Sequence, residues 1–275
     1  MSRIRRVVLL VIDGLRPDAV SPALMPSLAT LAASGWSSEG RTVRPSITVA
    51  ALSSLATGVP PERHGLVEAR LPSLQQLSGL RPLPLVLKRH GHRTRIVAGP
   101  LPPAHRFLGR TLLGLAGVDS LVSAPPRPRE LALAAEREQC RREAALTIVY
   151  VNNCDQVGHR QGWMSPAYLE AARTADEAVG VLAEGLLEDE TALLLVIADH
   201  GGGGVAATDH DLPHPANDAI PIVAAGVHVL AGRGHGSASL LDVPPTILRA
   251  LGVPIPREYA GRTLHLLAED AAAVA

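Results

Sequence analysis

The sequence predicts an α/β fold, a three-layer α/β/α sandwich around a mostly parallel sheet, and three observations carry that expectation. Four short stretches, VVLLVIDG, RTRIVAG, LTIVYVNNCD and LLLVIADH, are apolar on both faces and end in polar or turn-forming residues, with AIPIVAAG as a fifth. Continuous rather than alternating hydrophobicity is what strands covered on both faces require. The segments between them carry helix signals, and strand–helix alternation of this kind belongs to a doubly wound sheet. At 275 residues and 47% hydrophobic content, the chain can bury one large core.

Taken in order, VVLLVIDG is strand one. The arginines before it imitate a secretion leader, but the apolar run meets Asp13 with no small-residue cleavage site. MPSLATLAASG reads as a helix closed by Gly35, and LPLVLKRHG as one closed by Gly91. Between them RPSITVAALSSLATG starts extended under Pro45 and becomes a small-residue helix, with Thr48 near the turn. Residues 99–130 are rich in Pro and Gly with little periodicity, and read as a surface excursion or small lid on a single domain covering 1–275. After strand LTIVYVNNCD, the helix SPAYLEAARTADEAVGVLAEGLLED has Ser165 as N-cap and Pro166 in its first turn. SLLDVPPTILRALG is a proline-interrupted helix. No segment approaches the roughly 18 consecutive apolar residues that span a bilayer.

Lys and Arg number 26 and so do Asp and Glu, so no bulk field favours nucleic acid or an anionic membrane as partner. Aromatic residues are 2% of the chain, which leaves few candidates for a stacking site. Cys140 and Cys154 make no disulfide framework and no CxxC motif, so a reducing compartment and a cytoplasmic location are expected.

In open α/β sheets the ligand crevice lies at the carboxyl ends of the strands. Asp13 ends strand one, Asp155 and His159 follow the LTIVYV strand, and Asp199 and His200 end the LLLVIA strand. His210 and His214 lie in the loop beyond, and His235 in GRGHGS. A lone Asp at a strand end is ordinarily a cap or turn former. Three separate strands ending in acids, two of them paired with His, instead suit divalent metal, with zinc favoured by the imidazoles and manganese the alternative. The ligands outnumber one tetrahedral ion and fit a pair. His90, His92, His105, His228 and His265 read as bland surface or loop residues. Thr48 has two readings: an ordinary N-cap, or a hydroxyl in the positive potential of a helix N-terminus, where its ionised form and an anionic substrate are favoured. Trp163, four residues past His159, fits either a pocket wall or the core. Gly201 to Gly204 either turn the chain toward His210 or leave that loop mobile.

In this order VVLLVIDGLRPD, PSITVAALSSLATGVPPERHGL, DQVGH, IADHGG and LLDVPPTILRALGVPIP resemble the alkaline phosphatase superfamily, and within it the type I phosphodiesterase/nucleotide pyrophosphatase branch, over nearly the whole chain. The resemblance implies an alkaline phosphatase-like fold and hydrolysis of small-molecule phosphate esters, diesters ahead of monoesters. It also implies that Asp155, His159 and a downstream histidine, His210 ahead of His214 and His235, hold one divalent ion. Asp13, Asp199, His200 and the Thr48 oxygen hold the other, and Thr48 is the nucleophile that forms a phospho-threonine. Two positions depart from the pattern: Val49 stands where nucleotide-cleaving relatives place an aromatic, and Glu68-Ala69-Arg70 stand near the place of a phosphoryl-binding Asn. A backbone amide near Thr48, or Arg70, is expected to make that contact instead. Phosphonate or sulfate ester hydrolysis is the alternative within the superfamily, although TVAAL lacks the C/S-x-P-x-R setting of sulfatases. A relation to cofactor-independent phosphoglycerate mutases is set aside on the missing Ser nucleophile and the missing inserted domain. From another class, the loss of the Asn and the aromatic suggests a degenerate protein that binds metal or a phospho-ligand without turnover.

Overall fold

Strand β1 (Arg6–Ile12) is buried from Val7 onward, because it lies between two parallel neighbours and under helices on both faces. It pairs with β5 (Leu146–Val151) on one side and β6 (Ala192–Ile197) on the other. The computed structural model describes residues 4–68, 79–100, 106–186, 189–234 and 238–267. Among these, nine strands form one sheet in the order β4-β3-β5-β1-β6-β7-β2-β8, with β9 beside β2. The further strands are β2 (Trp36–Arg41), β3 (Thr94–Ala98), β4 (Ser120–Ser123), β7 (Ala219–Ala225), β8 (Gly232–Arg233) and β9 (Ala238–Ser239). The five-strand block from β4 to β6 is parallel, while β7 runs antiparallel to both β6 and β2. AIPIVAAG has the same two-faced apolar pattern as the parallel strands, since hydrophobicity reports burial and not direction. Strand β2, WSSEGR, escapes the apolar pattern because only Trp36 and Gly40 in it are buried.

Helices cover both faces. On one, α6 (Pro128–Arg141), α7 (Asn153–Gln161) and α1 (Pro26–Ser34) pack against the long α8 (Pro166–Leu186). On the other, α2 (Thr48–Thr57), α4 (Leu83–Arg89) and α10 (Val243–Ala250) pack together. Short α3 (Pro61–His64) follows α2, and α9 (Pro215–Asp218) precedes β7. Within 99–130 the described residues form α5 (Arg106–Leu115) and β4, which is paired in parallel with β3. Ser165 caps α8 as expected, its Oγ accepting from Tyr168 N at 3.2 Å. No helix among the described residues is long and apolar enough to cross a membrane.

Helices α1 and α8 are tied by a borrowed cap. The N-cap of α1 is Met25, whose side chain cannot accept, and Pro26 occupies the first turn. The buried Asp176 of α8 supplies the missing acceptor, taking Ser27 N at 2.8 Å and Leu28 N at 2.9 Å. A carboxylate here meets two otherwise unpaired amides at the positive end of the helix. Asp176→Ala should therefore cost about 1–3 kcal/mol, read as a lower denaturation midpoint, with Asp176→Asn recovering part of the loss. An unchanged midpoint for the alanine variant would refute this cap.

Candidate active site

Parallel pairing brings the carboxyl ends of β5, β1 and β6 to one edge, about 4.8 Å apart from strand to strand. Asp13 follows β1 and its amide donates to Val151 O of β5 at 2.8 Å. Asp199 lies two residues past β6. Asp155 is not on a strand: β5 ends at Val151 and Asp155 sits in the first turn of α7, its amide donating to Asp13 O at 3.1 Å. The helix then places His159, four residues on, over the same face.

Two groups result. In the first, His200 Nε2 lies 3.2 Å from Asp13 Oδ1, 3.6 Å from Asp199 Oδ2 and 3.1 Å from Thr48 Oγ1. In the second, Asp155 Oδ1 lies 3.4 Å from His159 Nε2 and 3.6 Å from His210 Nε2, and the two Nε2 atoms stand 3.1 Å apart. The His200 and His210 rings stack with centroids 4.0 Å apart and join the groups. Potential ligand atoms of Asp13, Asp199 and His200 all lie within 4.8 Å of one another, as do those of Asp155, His200 and His210.

The hydrogen bonds leave one atom of each group turned inward. Asp13 Oδ2 accepts from the Tyr150 hydroxyl, and Asp199 Oδ1 accepts from Gly14 N and His200 N. Their other oxygens, Asp13 Oδ1 and Asp199 Oδ2, are buried without a hydrogen-bond partner, as is Asp155 Oδ1. Each imidazole rests its Nδ1 on a backbone carbonyl: His200 on Gly201 O at 2.7 Å, His210 on Ser46 O at 2.7 Å, and His159 on Thr208 O at 3.0 Å. Donating from Nδ1 fixes the tautomer and turns the Nε2 lone pair toward the carboxylates. Three orphaned carboxylate oxygens and three converging Nε2 atoms form a donor set that fits divalent cations.

Electrostatics agree. Burial alone would depress His200, but the Asp199 and Asp13 carboxylates raise it to about 10. Asp13 resists its own burial through His200 and Tyr150 and stays below the usual carboxylate range. Burial, then the Asp13 charge, pushes Asp199 well above that range and Asp155 to about 6. Burial and the His200 charge lower His210 to about 4. Crowding of buried acids raises the proton affinity of Asp155 and Asp199, and a cation at the same oxygens would relieve the same repulsion.

Thr48 is the first residue of α2, after an N-cap, Ile47, that makes no side-chain cap. Its hydroxyl is therefore not spent on capping and faces His200. Ser46, two residues earlier, donates its Oγ to His210 O at 2.9 Å, so the loop before α2 and the His210 loop are tied twice. His214 is placed differently: it is the N-cap of α9, its Nδ1 accepting from Ala216 N at 3.1 Å. His235 and Arg70 lie outside the described residues. Sequence reasoning missed Tyr150, which reads as a core strand residue; its signal was a phenol in an apolar strand, which needs a polar partner. The glycine tract is pinned, with Gly201 N on Asn217 O, Gly202 N on Ala216 O and Gly203 N on Asp209 O at 2.9, 3.0 and 2.9 Å. A Cβ on Gly201 would come within 2.0 Å of Ala216 O, and one on Gly202 within 2.1 Å of the Trp163 ring. Close approach of backbone and ring accounts for glycine at these positions.

Known proteins share this architecture. The chain is 32% identical over 195 residues to a 2,3-bisphosphoglycerate-independent phosphoglycerate mutase of Desulforudis audaxviator, covering 65% of this chain and 37% of that protein. The relation to such mutases, set aside on the missing serine and insertion, thus holds for a shared segment; those absences bear on activity, not on kinship. The chain spans well under half the length of the curated relatives it matches. In structure it is similar to an alkaline phosphatase superfamily protein of Vibrio parahaemolyticus, with TM-score 0.73, 20% identity, 94% of this chain and 69% of that one. It is similar also to murine ectonucleotide pyrophosphatase/phosphodiesterase 5, solved as an inactive threonine-to-alanine form in complex with AMP, with TM-score 0.71, 13% identity, and coverage of 92% and 96%. The family profile of type I phosphodiesterases/nucleotide pyrophosphatases matches residues 7–76 and 116–240. Since that match takes in well over half of the residues, the chain belongs to the type I phosphodiesterase/nucleotide pyrophosphatase family.

Proposed function

We propose that the protein is a two-metal hydrolase of small-molecule phosphate esters, diesters ahead of monoesters, with Thr48 as nucleophile. The observation that carries this reading is the Thr48 hydroxyl, free of any capping role and 3.1 Å from His200 Nε2 at the edge of the inward-facing donor set. Asp13, Asp199, His200 and the Thr48 oxygen would hold one ion, and Asp155, His159 and His210 the other. Zinc suits the three imidazoles, with manganese the alternative. Bound there, two divalent ions supply Lewis-acid stabilisation of charge developing on the phosphoryl oxygens.

The chain's own residues do the rest. Thr48 Oγ attacks phosphorus, the bond to the leaving alcohol breaks, and the phosphoryl group passes to Thr48. Water then attacks from the opposite side and returns Thr48 to its free form. The first helical hydrogen bond of α2 runs from Ala51 N to Ile47 O, so the amides of Thr48, Val49 and Ala50 form the open end of the helix. Their positive potential favours both the ionised hydroxyl and the phosphoryl oxygens, and takes the part expected of an Asn. That the murine structural neighbour is inactive as a threonine-to-alanine form is in keeping with a threonine nucleophile in this fold. Val49 lacks a ring to stack on a base, which favours small esters over nucleotides. Cys140 and Cys154 are free thiols, in keeping with a cytoplasmic placement.

Thr48→Ala should lower turnover of bis-p-nitrophenyl phosphate by about 10³-fold or more, with Thr48→Ser retaining part; equal rates for wild type and Thr48→Ala would refute the nucleophile. Chelation should abolish turnover, and zinc should restore it at two ions per chain; a stoichiometry of one would refute the pair. Protons on His200 (about 10) and Asp155 (about 6) compete with the cation, so zinc affinity should rise from pH 5 to pH 8. Loading at pH 8 should release about one proton from His200, read by calorimetry in buffers of different ionisation enthalpy. A buffer-independent heat would count against it.

A further inference from the structure

Trp163 lies in the turn between α7 and α8, and its surroundings touch elements that carry both ligand groups. Its indole Nε1 donates to Gly14 O at 2.9 Å, at the turn that follows Asp13. Its backbone amide donates to Ala207 O at 2.8 Å, in the loop that carries His210. The ring meets His159 and His210 edge to face, with centroids 5.1 and 5.5 Å apart and planes at 81° and 72°. A Cβ on Gly158 or Gly202 would lie within 2.6 or 2.1 Å of the ring, and one on Gly203 within 2.6 Å of the Trp163 Cβ. Three glycines from two segments thus clear the space that the buried indole fills. The bond to Gly14 satisfies the buried N–H, and what sets the ring apart from an ordinary core aromatic is that it packs against two imidazoles of the donor set.

We propose that Trp163 is a positioning residue: wedged between the Gly14 turn and the rings of His159 and His210, it sets where the Asp155–His159–His210 group stands relative to the Asp13–Asp199–His200 group. Edge-to-face packing fixes the tilt of each imidazole, while the carbonyls on Nδ1 fix its rotation. The bond to Gly14 O ties that arrangement to the strand bearing Asp13. The inference rests on the reading that both groups hold cations.

The chain has two tryptophans, Trp36 and Trp163, so in a Trp36→Phe background the emission comes from Trp163. Zinc is titrated into the metal-depleted full chain while emission is followed, and the two dissociation constants are obtained by competition with a chelator. The emission of Trp163 should change with the uptake of one of the two ions. Trp163→Leu should weaken one zinc site by about tenfold or more and leave the other within about twofold. Trp163→Phe, which keeps a ring edge and loses the bond to Gly14, should fall between, and it decides the matter if the leucine variant does not fold. Two zinc ions bound with unchanged constants in the phenylalanine variant, flat emission through both equivalents, or equal weakening of both sites would overturn the positioning role. A wild-type chain that takes up no zinc would instead overturn the metal reading on which it rests.

Discussion

Three carboxylates at the ends of adjacent elements set the terms for the rest of this edge of the molecule. β5, β1 and β6 are parallel neighbours, so whatever follows them shares one edge, and here Asp155, Asp13 and Asp199 follow. Two like charges 4 Å apart repel by about 4 kcal/mol at the effective dielectric of a protein surface, and by more in a buried site. That repulsion is met in several ways at once. Each of Asp13 and Asp199 gives one oxygen to neutral donors, His200 is drawn between them, and the raised proton affinities of Asp155 and Asp199 show the negative charge still to be met. Cations at the orphaned oxygens would complete the neutralisation.

The surrounding architecture serves to hold imidazoles against that charge. His210 and His159 rest Nδ1 on carbonyls from distant stretches, Ser46 and Thr208, while His200 uses that of its neighbour Gly201. The Gly201 to Gly204 tract makes this packing feasible. Its segment passes so close to Ala216, Trp163 and His214 that side chains could not be fitted, and its amides are held by the residues around α9 and by Asp209. The apolar run of β6 ends where it does because polar groups must gather beyond the sheet edge and because backbone, not side chain, fills the space behind them.

The likeness differs in extent between the relatives: the fold matches 96% of the murine ectonucleotide pyrophosphatase/phosphodiesterase 5 chain, while the mutase is matched over a minority of its length. The chain covers 37% of the mutase it matches over 195 residues, and Val49 differs from the aromatic expected of nucleotide-cleaving relatives. Thr48 opens α2 behind a non-capping Ile47, so its hydroxyl stands at the helix end with no local task. Charge, helix end and hydroxyl meet at one edge of the sheet, which is where the proposed chemistry would occur.

Much of this was legible in the sequence because it depends on local pattern. Two-faced apolar runs mark β1, β3, β5, β6 and β7; Ser165-Pro166 marks the start of α8; and the strand-end acids announce the edge. What the pattern could not carry was relation between segments. AIPIVAAG reads like a parallel strand yet runs antiparallel, and WSSEGR is a strand through its pairing with β7 on one side and β8 and β9 on the other. Tyr150 reads as a core aromatic and Trp163 as either core or pocket wall until the fold sets their polar atoms against Asp13 and Gly14. His210 and His214 stand four residues apart in one loop, and only the fold turns one toward Asp155 and spends the other on a helix cap. The sequence by itself determined which side chains are available and on which elements they ride, through periodicity and spacing. Tertiary structure alone decided which of them meet, because strand order, direction and ring orientation arise from contacts between residues far apart in the chain.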